Sequence, residues 1–226
     1  MTEIIDQLRE KLESRANPKA AREMSKYMKD QFPFFGIKSP ELAEIIRASL
    51  RGHGLLQPDV LQETVIDCWA QPEREFQYCG AGLLRRGIRV SEAGLIQTIE
   101  ELITRKSWWD TVDNIATNTV GPFFQKFPTV QDEYLPIWRF SSNLWLRRTA
   151  ILFQLNYKQA TDFELLISII RENSGSKEFF INKAIGWSLR EYSKTNRLAV
   201  LEFCNKTPLH NLSRREALKW INTHPA

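Results

Sequence analysis

The stretch SWWDTVD at residues 107–113 decides the fold. At about 100° per residue, the apolar residues that begin in this stretch share one arc, which predicts a helix over 108–120. Trp109 and Asp113 are four residues apart, so they lie on the same side of this helix, just outside the apolar arc. An aromatic face beside a carboxylate suits a site that holds a cation. Core packing of Trp109 and an ion pair between Asp113 and a nearby arginine are the structural alternatives.

Aromatic residues recur at the position of Trp109 in neighbouring parts of the chain. The alignment places Phe76, Trp109, Trp145 and Phe180 in register at intervals of 33, 36 and 35 residues, and Trp187 and Trp220 at an interval of 33. Each interval accommodates a helix, a turn and a second helix, a unit too small to bury its own apolar face. Such units are stable only when neighbours stack. The repeat therefore predicts an α-solenoid.

Local signals along the chain agree with an all-helical fold. Proline occupies a predicted first helical position after Asn17, Ser39 and Gln57, and Ser213 with Glu216 forms a capping-box pattern. No Asn-Gly or Asp-Gly hairpin signal occurs. The predicted fold class is all-α, a solenoid of stacked HEAT-like antiparallel helix pairs with a concave basic face. No long linker interrupts it, so residues 1–226 are predicted to form a single domain.

Composition excludes several classes of protein. The 226 residues are 42% hydrophobic and 26% charged, as in a globular protein, and no apolar run approaches the roughly 18 residues of a membrane span. The first residues lack the basic and apolar regions of a secretory signal. Three dispersed cysteines read as reduced thiols, and neither they nor the three scattered histidines have metal-ligand spacing. A cytoplasmic protein without a metal or cofactor is expected, with no membrane partner.

Charge is distributed unevenly between the two parts of the chain. The net charge is +4, but residues 139–226 carry +7 and residues 1–138 carry −3. A basic C-terminal part indicates a polyanionic partner. An ordinary solvated surface explains the charge equally well.

The predicted helix over 178–193 carries the densest row of cations. Its aliphatic residues share one arc, which faces the core. A second arc of about 80° holds Phe180, Lys183, Trp187, Arg190 and Lys194. Cations that alternate with aromatic rings suit a phosphate backbone with a flat group to stack on. The structural alternative is a tryptophan packed on the next repeat with lysines at its rim.

Arg148 is the other charged residue with an unusual position. The predicted helix over 143–157 is apolar almost all round, and leucines and isoleucine surround Arg148. A buried cation needs an anionic partner because an unpaired buried charge is too costly. That partner is either a structural carboxylate or a DNA phosphate. Asp113, Arg148 and Trp187 are separated by 35 and 39 residues, close to one repeat each, so we expect them at matching depths of one wall.

Long strings of this sequence match a known family. The chain resembles the AlkD-like DNA glycosylases, bacterial alkylpurine glycosylases built from HEAT-like repeats, from Asn17 to Lys219. The matching strings are KYMKDQFPFFGI (26–37), PEREFQY (72–78), SWWDTVD (107–113), NLWLRRTAILFQLNYKQ (143–159) and SKEFFINKAIGWSLREYSKTN (176–196).

The resemblance implies roles for individual residues. Asp113 matches the catalytic aspartate, Trp109 and Trp187 match the tryptophans that bracket the deoxyribose, and Arg148 matches the arginine beside the phosphate of the lesion. Expected DNA contacts are Tyr27, Lys177, Phe179, Phe180, Lys183, Arg190 and Lys194. The family acts on the sugar and backbone while the damaged base remains stacked.

The expected function is therefore a monofunctional glycosylase of base excision repair. Its substrate is double-stranded DNA that contains alkylated purines such as 3-methyladenine and 7-methylguanine, and the protein is expected to be a monomer. Two other functions stay open: a non-catalytic solenoid that binds damaged DNA, and a protein-interaction scaffold. Neither explains why Asp113 stands on a wall that binds a polyanion.

Overall fold

The computed structural model describes residues 3–50 and 54–224, and this part of the chain is helical without any strand. The α-helices are α1 (Glu3–Ser14), α2 (Pro18–Tyr27), α3 (Ser39–Ser49), α4 (Pro58–Ala70), α5 (Arg74–Gly87), α6 (Leu95–Thr104), α7 (Trp109–Ile115), α8 (Gly121–Lys126), α9 (Pro128–Arg139), α10 (Leu144–Leu152), α11 (Phe163–Asn173), α12 (Phe179–Ser193), α13 (Arg197–Lys206) and α14 (Asn211–Thr223). No helix in these two ranges is both long and apolar enough to cross a membrane.

The chain divides into two compact units, an N-terminal unit of residues 1–102 and a C-terminal unit of residues 103–226. In the N-terminal unit α4 packs on α5, and in the C-terminal unit α9 packs on α10 and α13 on α14. The members of each pair follow one another along the chain through short turns. The predicted class, an all-α solenoid of stacked helix pairs, is confirmed. That residues 1–226 form a single domain stays a prediction.

In the N-terminal unit, a buried carboxylate organises the chain after α2. The Oε1 and Oε2 atoms of Glu75 accept hydrogen bonds from the backbone N–H groups of Phe35, Gly36 and Ile37, at distances of 2.9–3.2 Å. Gly36 has φ +90°, and a Cβ atom there would lie 2.2 Å from the carbonyl oxygen of Asn17. The strings FPFFGI and PEREFQY are therefore two halves of one structural contact.

In the C-terminal unit, four helices form a row. α7 packs on α10, α10 on α12, and α12 on α14, so that successive members of the row come from successive helix pairs. The aliphatic arc predicted for residues 178–193 is confirmed, because Ile181, Ala184, Ile185 and Leu189 are completely buried. We call these four helices the four-helix row. They carry all the residues that line the pocket described below.

The helix predicted over 108–120 continues further and changes its winding. After α7, residues Ala116–Val120 form a π-helical turn that leads directly into α8. The Oγ1 atom of Thr117 donates to the carbonyl oxygen of Asp113 at 2.8 Å, and the hydroxyl of Tyr157 donates to the carbonyl oxygen of Gly121 at 2.7 Å. Because side chains bond to the carbonyl groups on both sides of the wide turn, they hold it in place one helical turn after Asp113.

The helix predicted over 143–157 is shorter than expected, since α10 ends at Leu152. The side chain of Gln154 is buried and exchanges two hydrogen bonds with the backbone of Asp162, at 2.7 and 3.2 Å. After Leu152 the backbone N–H groups of Leu155 and Tyr157 donate to carbonyl oxygens three residues back instead of four, and the Gln154 bonds fix this turn against the start of α11. Periodicity alone could not show this end, because it depends on a residue eight positions away.

Candidate active site

Asp113 and Arg148 form a two-point ion pair between α7 and α10. The Nε atom of Arg148 donates to Oδ1 of Asp113 at 2.7 Å, and its Nη2 atom donates to Oδ2 at 2.8 Å. The third nitrogen, Nη1, donates to the backbone carbonyl oxygen of Phe180 on α12. Arg148 thus joins three helices of the row. Of the two partners left open for Arg148, the structure shows a carboxylate.

The environment of this ion pair raises the pKa of the Asp113 carboxyl group. The side chain of Arg148 is 5% exposed and that of Asp113 is 14% exposed. Burial raises the pKa of Asp113 above its usual value of 3.8, and the hydrogen bond and charge of Arg148 only partly oppose this effect. The negative charge of Asp110 raises the pKa slightly further. A carboxylate held in such an environment gains more from a nearby positive charge than one in water.

Asp113 and Arg148 open onto a pocket of about 370 Å³ in the C-terminal unit. The pocket is lined by Trp109, Asp113, Arg148, Phe179, Phe180, Lys183, Trp187, Arg190 and Glu216. The four residues predicted to form the catalytic centre therefore share one pocket. Asp113 faces the same space as Trp187, although α7 and α12 are far apart in sequence. Within the described ranges, no group of His, Cys, Asp and Glu side chains could hold a metal ion.

An aromatic cluster supports one side of the pocket. The ring of Phe180 lies 5.2 Å from that of Trp108 and 5.1 Å from that of Trp145, and the two tryptophan rings are 5.9 Å apart. Trp145 and Phe180, which occupy the same position in the repeat, therefore meet in one cluster with Trp108, the neighbour of Trp109. Phe180 was predicted to contact DNA. Its ring is half-buried in this cluster, and its carbonyl group holds Arg148.

Lys183 and Arg190 of α12 are paired with Glu216, which the sequence pattern had assigned to a helix cap. The Oε2 atom of Glu216 on α14 accepts from Nη1 of Arg190 at 2.8 Å, and its Oε1 atom lies 3.2 Å from Nζ of Lys183.

The capping box predicted for Ser213 and Glu216 is wrong. α14 begins two residues earlier, with His210 as its N-cap, and the Ser213 hydroxyl binds Asn182 instead. The spacing of 33 residues between Lys183 and Glu216, one repeat, was a usable signal.

A glycine permits the close approach of α14 that brings Glu216 into the pocket. A Cβ atom at Gly186 of α12 would lie 2.5 Å from Cβ of Glu216 and 2.9 Å from the carbonyl oxygen of Ser213. Any larger side chain at this position would push α14 away. A glycine at position 186 is therefore needed for α14 to bring Glu216 to the pocket.

The remaining predicted contacts lie at different places. Phe179 is 58% exposed at the pocket, and Lys177 is exposed in the turn before α12. Lys194 lies outside the pocket, where its Nζ atom pairs with Oε2 of Glu191 at 2.6 Å. Tyr27 is 70% exposed at the end of α2 in the N-terminal unit. Their DNA contacts stay predictions.

Comparison with known proteins agrees with this architecture. A solved structure described as a predicted DNA alkylation repair enzyme from Enterococcus faecalis has 33% sequence identity to this chain and a TM-score of 0.85, and the match covers 92% of this chain and 98% of that one. A protein from Streptococcus mutans has 15% identity and a TM-score of 0.63, over 89% of this chain and 98% of that one, which shows a shared fold alone. No curated protein sequence matches this chain. Residues 8–221 match the family described as DNA alkylation repair enzyme. The chain belongs to the DNA alkylation repair enzyme family.

Proposed function

We propose that this protein is a monofunctional DNA glycosylase that removes positively charged N3- or N7-alkylated purines from duplex DNA. The observation that carries the proposal is the position of Asp113. Its carboxylate is held by Arg148 in a pocket that also presents the indoles of Trp109 and Trp187. A pocket that combines a carboxylate with aromatic faces suits a group that becomes positively charged during the reaction.

The chemistry follows from the charge of the lesion. Alkylation at N3 or N7 makes the purine cationic, so the C1′–N bond can break with both electrons going to the base, which leaves neutral. The deoxyribose becomes an oxocarbenium ion. Asp113 stabilises this positive charge, and each indole adds about 1–2 kcal/mol when its contact with the cation is desolvated.

Water completes the hydrolysis at C1′. An ionised carboxylate has about four acceptor positions, and Arg148 occupies two of them, so Asp113 can still accept a hydrogen bond from water. It orients the water, whose oxygen attacks C1′, and takes up the proton that the water releases. Arg148 fixes the direction of the carboxylate, and the N–H groups that its Nη1 and Nη2 atoms do not use for Phe180 and Asp113 would bind the phosphate beside the lesion.

Treatment of methylated duplex DNA with purified protein tests the proposal. We expect free methylpurines and abasic sites from the wild type, and strongly reduced release from Asp113→Asn, which keeps the shape of the side chain but loses its charge. Equal release by both proteins removes Asp113 from the reaction. Absence of release by the folded wild type removes the glycosylase.

The ion pair itself favours a second candidate, a protein that binds damaged DNA without cleaving it. A carboxylate fully engaged by Arg148 can be structural. This candidate predicts salt-dependent DNA binding without base release, and binding that Asp113→Asn strengthens by removing a negative charge. Measurement of affinity and base release on the same methylated duplex separates the two functions.

A further inference from the structure

Glu216 is the second carboxylate of the pocket, and nothing in the proposed hydrolysis uses it. Asp113 and Arg148 cancel one another in charge. Lys183, Arg190 and Glu216 together leave a net charge of +1 on this part of the wall. Without Glu216 the same wall would carry +2. The carboxylate therefore halves the net positive charge that faces the pocket.

We propose that Glu216 restrains DNA binding by occupying the two cations that a backbone phosphate would contact. This inference rests on the proposed function, because it assumes that DNA approaches the pocket. A phosphate that reaches Lys183 and Arg190 meets the Glu216 carboxylate between them. It must displace Glu216 or lie against a like charge, and both reduce affinity.

The position of Glu216 is imposed by the packing of α14. Its Cβ lies against the backbone of Gly186, and the buried Ser213 hydroxyl donates to the Asn182 carbonyl group at 3.0 Å. The side chain of Glu216 is 14% exposed, against 38% for Lys183 and 26% for Arg190. The carboxylate thus lies deeper than the cations that it neutralises, and the fold limits how far it can move away.

Glu216 is negatively charged at neutral pH. Burial by itself would raise its pKa, but the hydrogen bond from Lys183 and the positive charges of Lys183, Arg190 and Lys219 lower the pKa below its usual range. Since it stays ionised, its effect on an approaching phosphate is one of charge as well as of hydrogen bonding.

A restraint of this kind suits an enzyme that searches long stretches of undamaged DNA. Non-specific affinity comes almost entirely from contacts between cations and phosphates. Removal of one of the negative charges on the wall slows release from undamaged DNA, whereas contacts made only at the reacting sugar are unaffected. The cluster of Lys183, Arg190 and Glu216 therefore affects how long the protein stays on undamaged DNA, whereas Asp113 acts in the chemical step.

Binding to undamaged duplex DNA tests this inference without any need for base release. The proteins are the wild type, Glu216→Gln and the control Glu202→Gln, whose partner Lys206 lies on the exposed face of α13 and outside the pocket. Both variants remove one negative charge. We expect Glu216→Gln to bind about 5- to 20-fold more tightly at low salt, with a slope of log K against log salt steeper by about 0.9. Glu202→Gln should stay within about twofold of the wild type.

Equal or weaker binding by folded Glu216→Gln overturns the inference. Equal binding would mean that Glu216 does not affect DNA affinity, and weaker binding would mean that it orders the two cations for DNA. Should this variant fail to fold, Lys183→Met/Glu216→Gln keeps the net charge of +1 and leaves Arg190 without its carboxylate. Binding at least as tight as that of the wild type supports the inference, and weaker binding overturns it. Wild-type protein that neither binds DNA nor releases bases contradicts the proposed function instead.

Discussion

The guanidinium of Arg148 holds both oxygens of Asp113, at 2.7 and 2.8 Å, and spans from α7 to the backbone of α12. This relationship makes one buried arginine responsible for two properties of the protein. It stabilises the C-terminal unit, and it sets the direction in which the Asp113 carboxylate faces the pocket. The two properties can be measured separately.

Loss of Arg148 should destabilise the protein strongly. We expect Arg148→Met to lower the free energy of unfolding by about 3–5 kcal/mol, because it leaves Asp113 buried without its partner. Arg139→Met is the matched control: Arg139 also makes a two-point pair, with Glu172 at 2.6 Å, but the side chain of Glu172 is 27% exposed, against 14% for Asp113. There we expect a loss of about 1 kcal/mol. Urea unfolding measures both, and equal losses would contradict the distinction.

The pH dependence of base release should reflect the buried position of Asp113. Only the ionised carboxylate stabilises a positive sugar, so activity falls as the pH drops through the pKa of this group. Since burial raises that pKa above 3.8, the acid side of the profile should lie at higher pH than for an ordinary aspartate. Single-turnover rates corrected for spontaneous depurination measure the profile.

Substitution of Arg148 tests independently whether Asp113 controls the acid side of the pH profile. Arg148 lowers the pKa of Asp113 by its hydrogen bond and its charge, so Arg148→Met should move the acid side of the profile to still higher pH. A shift to lower pH, or a profile unchanged by the substitution, would show that another group controls the acid side.

The two indoles of the pocket should contribute to rate through their π-faces. Trp109→Ala and Trp187→Ala are each expected to slow base release by about tenfold or more, in keeping with about 1–2 kcal/mol for a desolvated cation–π contact. Trp220→Ala is the control, since Trp220 is also half-buried in the C-terminal unit but stacks on His224 at 4.8 Å. Rates at saturating DNA separate this effect from binding, and a comparable loss in Trp220→Ala would point to folding instead.

A side chain at position 186 should destabilise the protein. We expect Gly186→Ala to cost about 1–3 kcal/mol of stability, because the new methyl group would lie 2.5 Å from Cβ of Glu216. Gly175→Ala meets no atom within 4 Å and should change stability by no more than about 0.5 kcal/mol. Thermal unfolding compares the two variants. A stable Gly186→Ala protein would mean that α14 can withdraw and take Glu216 with it.

Much of the site could be predicted from sequence because helical phase is a local property. The apolar arcs around Val112 and around Ile185 show which side of each helix faces the core, and thereby leave Trp109, Asp113 and Trp187 outside it. The repeat interval then aligns α7, α10 and α12 at matching depths. Periodicity, however, says nothing about what an exposed or buried charge binds.

The sequence by itself determined that the chain is helical, that its helices stack in pairs and that Trp109, Asp113, Arg148 and Trp187 share one wall, because apolar periodicity and repeat spacing are local properties of the chain. Only the tertiary structure decided that Arg148 pairs with Asp113, that Glu216 neutralises Lys183 and Arg190, and that a π-helical turn follows Asp113. These features depend on side chains from helices about one repeat apart. Which side chains meet depends on how closely two helix backbones approach, as α12 and α14 do at Gly186. No local sequence pattern encodes that distance.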